Sequence, residues 1–118
     1  MKFEGGGLDN PFWIAAARLL IEIPYAASLK DRRRVVRSLT DGARCRFAAS
    51  ASDLGPDGTH KTAELGFAFC GSSSAELRER MANLKKFLCQ REEEGEFEIM
   101  RFSPEVFSHG DISDRQDK

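Results

Sequence analysis

The chain has 118 residues, 41% of them hydrophobic and 31% charged, with a formal net charge of −1. That length suits one domain with a core of its own, needing no disulfide or metal staples. No apolar run approaches a membrane span, and the near-neutral total gives no general attraction to nucleic acid. The charge is unevenly placed, however: residues 1–50 hold 9 basic and 5 acidic side chains, whereas residues 51–118 hold 9 and 14. Such a division implies a positive surface on an otherwise acidic chain, or two halves that neutralise each other across the fold.

Residues 1–12 read as a flexible extension, with three successive glycines ahead of Asp9-Asn10-Pro11 and no apolar stretch of the secretory kind. From Trp13 to Ile23 the alternation predicts a strand. Leu19, Ile21 and Ile23 share one face, and Arg18, Leu20 and Glu22 the other. Ala15 to Ala17 would also tolerate a helix. Pro24 ends the ladder, and Ser28 with Asp31 reads as a capping box opening a helix that reaches Phe47.

On that helix Leu29, Val35, Val36, Leu39, Ala43 and Phe47 fall on one side. Lys30, Arg33, Arg34, Arg37 and Arg44 fall on the opposite side, with Asp41 among them. Arg32 and Arg46 lie on the apolar side near opposite ends. There they would snorkel past the sheet rim or pair with an acid such as Glu22 or Glu64.

A second strand is predicted over Phe47–Asp53, with Phe47, Ala49 and Ala51 on one face. The turn-rich residues 54–61 follow, then a third strand over Thr62–Cys70 with Leu65, Phe67 and Phe69 together. Ser73 and Glu76 cap a second helix, from about Ala75 to Glu92, whose stripe is Leu77, Met81, Leu84 and Leu88. Gly95 suits its stop, Phe97–Phe102 reads as the fourth strand, and residues 108–118 read as a mobile tail.

Strand, helix, strand, strand, helix, strand predicts an α+β, ferredoxin-like domain over residues 13–107. Both helices should cover one face of a four-stranded antiparallel sheet. The other face would carry Leu20, Ser50, Ser52, Gly66, Ala68 and Cys70. It is expected to be covered by a second subunit in a homo-oligomer.

The basic helix face is the main functional signal. Lys30, Arg33, Arg37 and Arg44 stand at spacings of three, four and seven, with Arg34 beside them, over roughly 20 Å of helix. Guanidinium groups grip phosphate oxygens bidentately, so a ladder on this scale suits a polyphosphate backbone. Amides at Leu29, Lys30 and Asp31, beside Ser28, offer one further anion site at the helix start. That start alone would also suit a small-anion-binding regulator. Alternatively, the whole basic face is solvated or pairs with Asp41 and the Glu92–Glu96 run.

The pentapeptide Leu65–Phe69, LGFAF, is similar to the core of the RNA-recognition-motif octapeptide, whose aromatics stack bases on an open sheet. Strand parity argues against stacking here, because Leu65, Phe67 and Phe69 form the strand's one strongly apolar face.

Catalysis finds little support. His60 and His109 have no nucleophile or carboxylate at a defined spacing, and no triad, metal-ligand cluster or phosphate-cradling glycine loop is present. Cys45, Cys70 and Cys89 are odd in number and widely spaced, and Cys45 and Cys89 fall on polar helix sides. A reducing, cytoplasmic location is therefore expected, with no enzyme activity, cofactor, metal or membrane partner.

Residues Leu19–Leu39 (LLIEIPYAASLKDRRRVVRSL), Arg46–Ser50 (RFAAS) and Ala63–Phe69 (AELGFAF) together resemble the YlxP-like family of small bacterial proteins, as does the placing of Glu96–Ile99 (EFEI). The resemblance spans roughly residues 14–103, and SLKDRRRVVRSL is its most specific part. It implies a ferredoxin-like fold and a role in ribosome maturation or RNA binding, because family members are often encoded beside translation and ribosome-assembly factors. No enzymatic activity is implied. The family usually has an aromatic-containing polar turn before its third strand, where this chain has GPDGTHK. Gly42 also stands where the family keeps a helix former, so the last helical turns are expected to kink or fray and to loosen Arg44 from the stripe.

Overall fold

The computed structural model describes residues 10–110, so the expected extension up to residue 9 and the tail beyond residue 110 lie outside the described residues. The elements are β1 (Phe12–Glu22), α1 (Leu29–Phe47), β2 (Ser50–Gly55), β3 (Thr62–Gly71), α2 (Ser74–Glu92) and β4 (Glu98–His109). The sheet order is β2-β3-β1-β4 with every neighbouring pair antiparallel, the ferredoxin-like α+β arrangement. Both helices bury their apolar stripes on one side of it. Leu19, Ile21, Leu39, Leu65, Leu77, Leu84 and Leu88 are sealed from solvent there.

Strand β1 is extended from its first residue, Ala15–Ala17 included, because β3 and β4 satisfy its backbone on both sides. Strand β4 runs seven residues beyond the predicted Phe102, through Pro104. It lies at the sheet edge, where a missing N–H breaks no ladder on the outer side. Ser108 and His109, expected in the tail, therefore belong to the sheet. At the other edge Phe47 closes α1 instead of opening a strand, and β2 starts only at Ser50.

Between them, Ala48 takes the left-handed conformation (φ 53°, ψ 37°) and its N–H caps the Ala43 carbonyl. A side chain beyond glycine is disfavoured there by about 1 kcal/mol. Ala48 is exposed, so Ala48→Gly removes no packing. It should raise stability by about 0.5–1 kcal/mol in urea unfolding.

Gly42 does not interrupt α1, which is continuous from Leu29 to Phe47, so the fraying expected of its last turns is not seen. Gly42 is instead where the Phe87 ring of α2 seats against α1. A Cβ added at Gly42 would stand 2.4 Å from the tip of the Phe87 ring. Phe87 is buried and packs edge-on to Phe47, with the Arg46 and Arg91 guanidinium groups over its ring. Gly42→Ala gains about 1 kcal/mol of helix propensity but forces a held ring out of place, at about 1–3 kcal/mol. The net result should be destabilisation. In a Phe87→Leu background the same substitution should turn neutral or stabilising, a coupling that a double-mutant cycle of urea midpoints measures.

Candidate functional site

Helix α1 begins where Ser28 Oγ accepts the Asp31 N–H (3.2 Å) while the Asp31 carboxylate accepts the Ala27 N–H (2.8 Å). One of the three amides expected to be free for an anion is therefore engaged, and a carboxylate already occupies the helix start. Leu29, assigned to the apolar side by the helical pattern, is 45% exposed; the buried stripe starts at Arg32 and continues through Val35, Val36, Leu39, Thr40 and Ala43.

Arg32 fixes how α1 is rolled on the sheet. Its guanidinium spans the Asp53 carboxylate with two bonds (2.7 and 3.0 Å). It also donates from Nε to the Thr62 carbonyl (2.9 Å) and from Nη2 to the Gly55 carbonyl (3.1 Å). The partner is Asp53, not Glu22 or Glu64; Glu64 pairs with Arg18 across the open face. The Asp53 hydrogen bonds raise Arg32 above its ordinary pKa, against the effect of burial, and Arg32 holds the Asp53 carboxyl below the usual carboxylate range. Arg46, the other basic residue on the apolar side, lies over the Phe87 ring at 5.0 Å.

With Arg32 facing inward, Lys30, Arg33, Arg34, Arg37 and Arg44 are all exposed on the outer side of the helix. The structure divides them. Arg34 pairs with Glu96 at 2.9 Å, and Arg44 pairs with Asp41 at 3.0 Å while also donating to the Ala51 carbonyl at 2.6 Å. Among the described residues, no carboxylate lies within ion-pair reach of Lys30, Arg33 or Arg37. These three, with Arg34, Ser38 and the acids Asp31 and Asp41, line a shallow depression along the helix. Arg33 and Arg37 also border a second depression towards Asp53 and Arg44, so they form the ridge between the two.

Two more acids of the Glu92–Glu96 run are turned to structural use. The Glu92 carboxylate accepts the Ile99 N–H at 2.7 Å, and Glu94 pairs with Arg91, whose guanidinium also donates to Ser38 Oγ.

One residue beside the stripe had no functional reading in the sequence. Tyr25 is 83% exposed, although its connection is held by the Lys61 ammonium on the Pro24 carbonyl (2.8 Å) and the Ala26 N–H on the Ile23 carbonyl (3.1 Å). Tyr25 shares a third depression with Asp31 and Arg34. An isolated Tyr between a strand and a helix carries no periodic signal, so only the fold exposes it. In contrast, Phe67 and Phe69 of LGFAF are 2% and 7% exposed and can stack on nothing outside the core.

Among the described residues no helix is long and apolar enough to cross a membrane. A search of curated proteins returns no match. The family model described as "Protein of unknown function (DUF503)" matches residues 14–103. That span holds β1 from Ile14, both helices, β2, β3 and the first half of β4, including the whole of the basic stripe. The chain belongs to this family, DUF503.

Proposed function

We propose that this protein is a non-enzymatic RNA- or ribosome-binding module of the bacterial cytoplasm that grips phosphates with the outer face of α1. The observation that carries the reading is the exposure of Lys30, Arg33 and Arg37 on one continuous helix with no carboxylate partner among the described residues. Lys30 to Arg37 covers about 10 Å of helix, a length that a short run of consecutive phosphates matches. Arg34 and Arg44 join by exchanging Glu96 and Asp41 for phosphate. Ser28 and Leu29 contribute little, since Asp31 already neutralises the helix start. Tyr25 adds a stacking face for an unpaired base at one end of the stripe. The YlxP-like resemblance of SLKDRRRVVRSL agrees with this reading.

The deciding experiment is titration of the full chain with a fluorescent single-stranded RNA at several salt concentrations. Affinity should fall steeply, with log K against log salt sloping at about −0.7 per phosphate neutralised. A flat salt response, or no binding at low salt, would remove the proposal.

A further inference from the structure

The two helices cover one side of the sheet, and nothing among the described residues covers the other. The strand registers give its composition row by row. Ser50, Ala68, Ala16 and Glu105 lie side by side, then Ser52, Gly66, Arg18 and Ser103, then Glu64, Leu20 and Arg101. Towards the opposite end come Cys70, Ile14 and Phe107, and last Phe12 against His109. The floor of small residues leaves a hollow, and Leu54 leans over Gly66 at its rim. Phe12, Leu20, Leu54 and Phe107 are each at least 36% exposed and all stand on this one face. Large apolar side chains gathered on one open surface mark a contact surface, not scattered surface residues.

We infer that this face is the interface between two copies of the chain, packed sheet against sheet about a two-fold axis. Charge argues for a like partner over a polyanion. Arg18 and Arg101 stand among Glu64 and Glu105, with Arg18 and Glu64 already paired at 2.8 Å, and Glu22 beside Glu98 closes the face at one end, so the face carries both signs and is net acidic. A two-fold operation sets such a surface against its own complement, whereas phosphate meets no net attraction. Area agrees. Strands of 11, 6, 10 and 12 residues present roughly 600 Å² of projected sheet at ordinary strand spacing, before side-chain relief is added. A standard interface takes about 800 Å² of accessible surface from each partner. The small floor lets two sheets approach to the spacing of a β-sandwich while the partner's Leu20, Leu54 or Phe107 fills the hollow. In this dimer the two α1 helices look outward on opposite sides, free of the interface.

Sedimentation velocity of the full chain over a wide concentration range tests the inference, with Cys70 as an internal reporter. Cys70 lies on the open face beside Ile14, whereas Cys45 is exposed on α1. The expected result is a dimer in which maleimide labelling of Cys70 slows as concentration rises while labelling of Cys45 does not. Ala68→Glu should weaken the dimer by roughly a hundredfold by burying an unpaired charge. Phe107→Ser, at an exposed site on the edge strand, should weaken it with the circular dichroism of the fold unchanged. A monomer at every concentration would overturn the inference, as would a dimer indifferent to both substitutions. Cys70 protection that appears only on adding RNA would overturn it too, by naming a different occupant. RNA binding through α1 survives each of these outcomes, so the two readings fail separately.

Discussion

Replacing Arg33 and Arg37 together by alanine should weaken RNA binding at low salt by roughly thirty- to 150-fold, on about 1–1.5 kcal/mol for each charge-assisted phosphate contact. The slope of log K against log salt should shrink by about 1.4, two contacts' worth on single-stranded RNA. Both side chains are exposed and have no ion-pair partner among the described residues, so the folded protein loses no internal bond and thermal stability should hold. The ranking is as informative as the size of the effect. Arg34→Ala and Arg44→Ala should each cost less than Arg33→Ala, because phosphate must first displace Glu96 from one and Asp41 from the other. Glu96→Gln frees Arg34 and should tighten binding severalfold. Equal losses from all four arginines would show that RNA senses only total charge, and the assignment to a specific stripe would then fail.

The alternation in β1 and β3 and the four-three-four stripe of α2 were legible in the sequence because burial on one face leaves a periodic trace. The buried members of α1 follow the same logic, and so do the exposed Lys30, Arg33 and Arg37. What left no such trace was contact between distant segments. Gly42 looks like a defect when α1 is read alone; it is a slot for Phe87, 45 positions further on. Arg32 looks like a charge on the wrong side of a helix until β2 brings Asp53 back beneath it. Pro104 suggests an early end to β4, because nothing local says that the strand lies on an edge. The candidate site was legible as a list of bases. The match of Arg44 with Asp41 is local to α1, but that of Arg34 depended on where Glu96 arrives, and that is set by the length of α2.

Arg32→Met should lower the stability of the fold by about 2–4 kcal/mol, the methionine keeping part of the buried stem but none of the four hydrogen bonds. Asp53→Asn leaves the guanidinium in place with its charge unmatched and should cost about 2–3 kcal/mol, less than a fully buried pair because the Asp53 side chain is 37% exposed. For a domain of this size that is a melting-temperature drop of about 10 °C. The two variants differ from the parent in their response to acid as well. Asp53 titrates below its ordinary value when folded, so the pair's contribution is fully present above the unfolded carboxyl pKa, about 4. It is lost as pH falls through the folded value, where the carboxylate finally takes up a proton. The parent's stability should therefore decline through that window more steeply than that of Asp53→Asn, and the two curves should converge at the acid end. Arg32 shifts upward from an already high ordinary value, so its own contribution would be lost only as pH rises beyond any working range. Because this bond sets the roll of α1, Arg32→Met should also blunt the RNA affinity that Arg33 and Arg37 supply, even where the protein remains folded. Urea unfolding from neutral pH to pH 2 decides the stability claim: parallel curves for parent and Asp53→Asn would mean that Arg32 and Asp53 do not act as a pair.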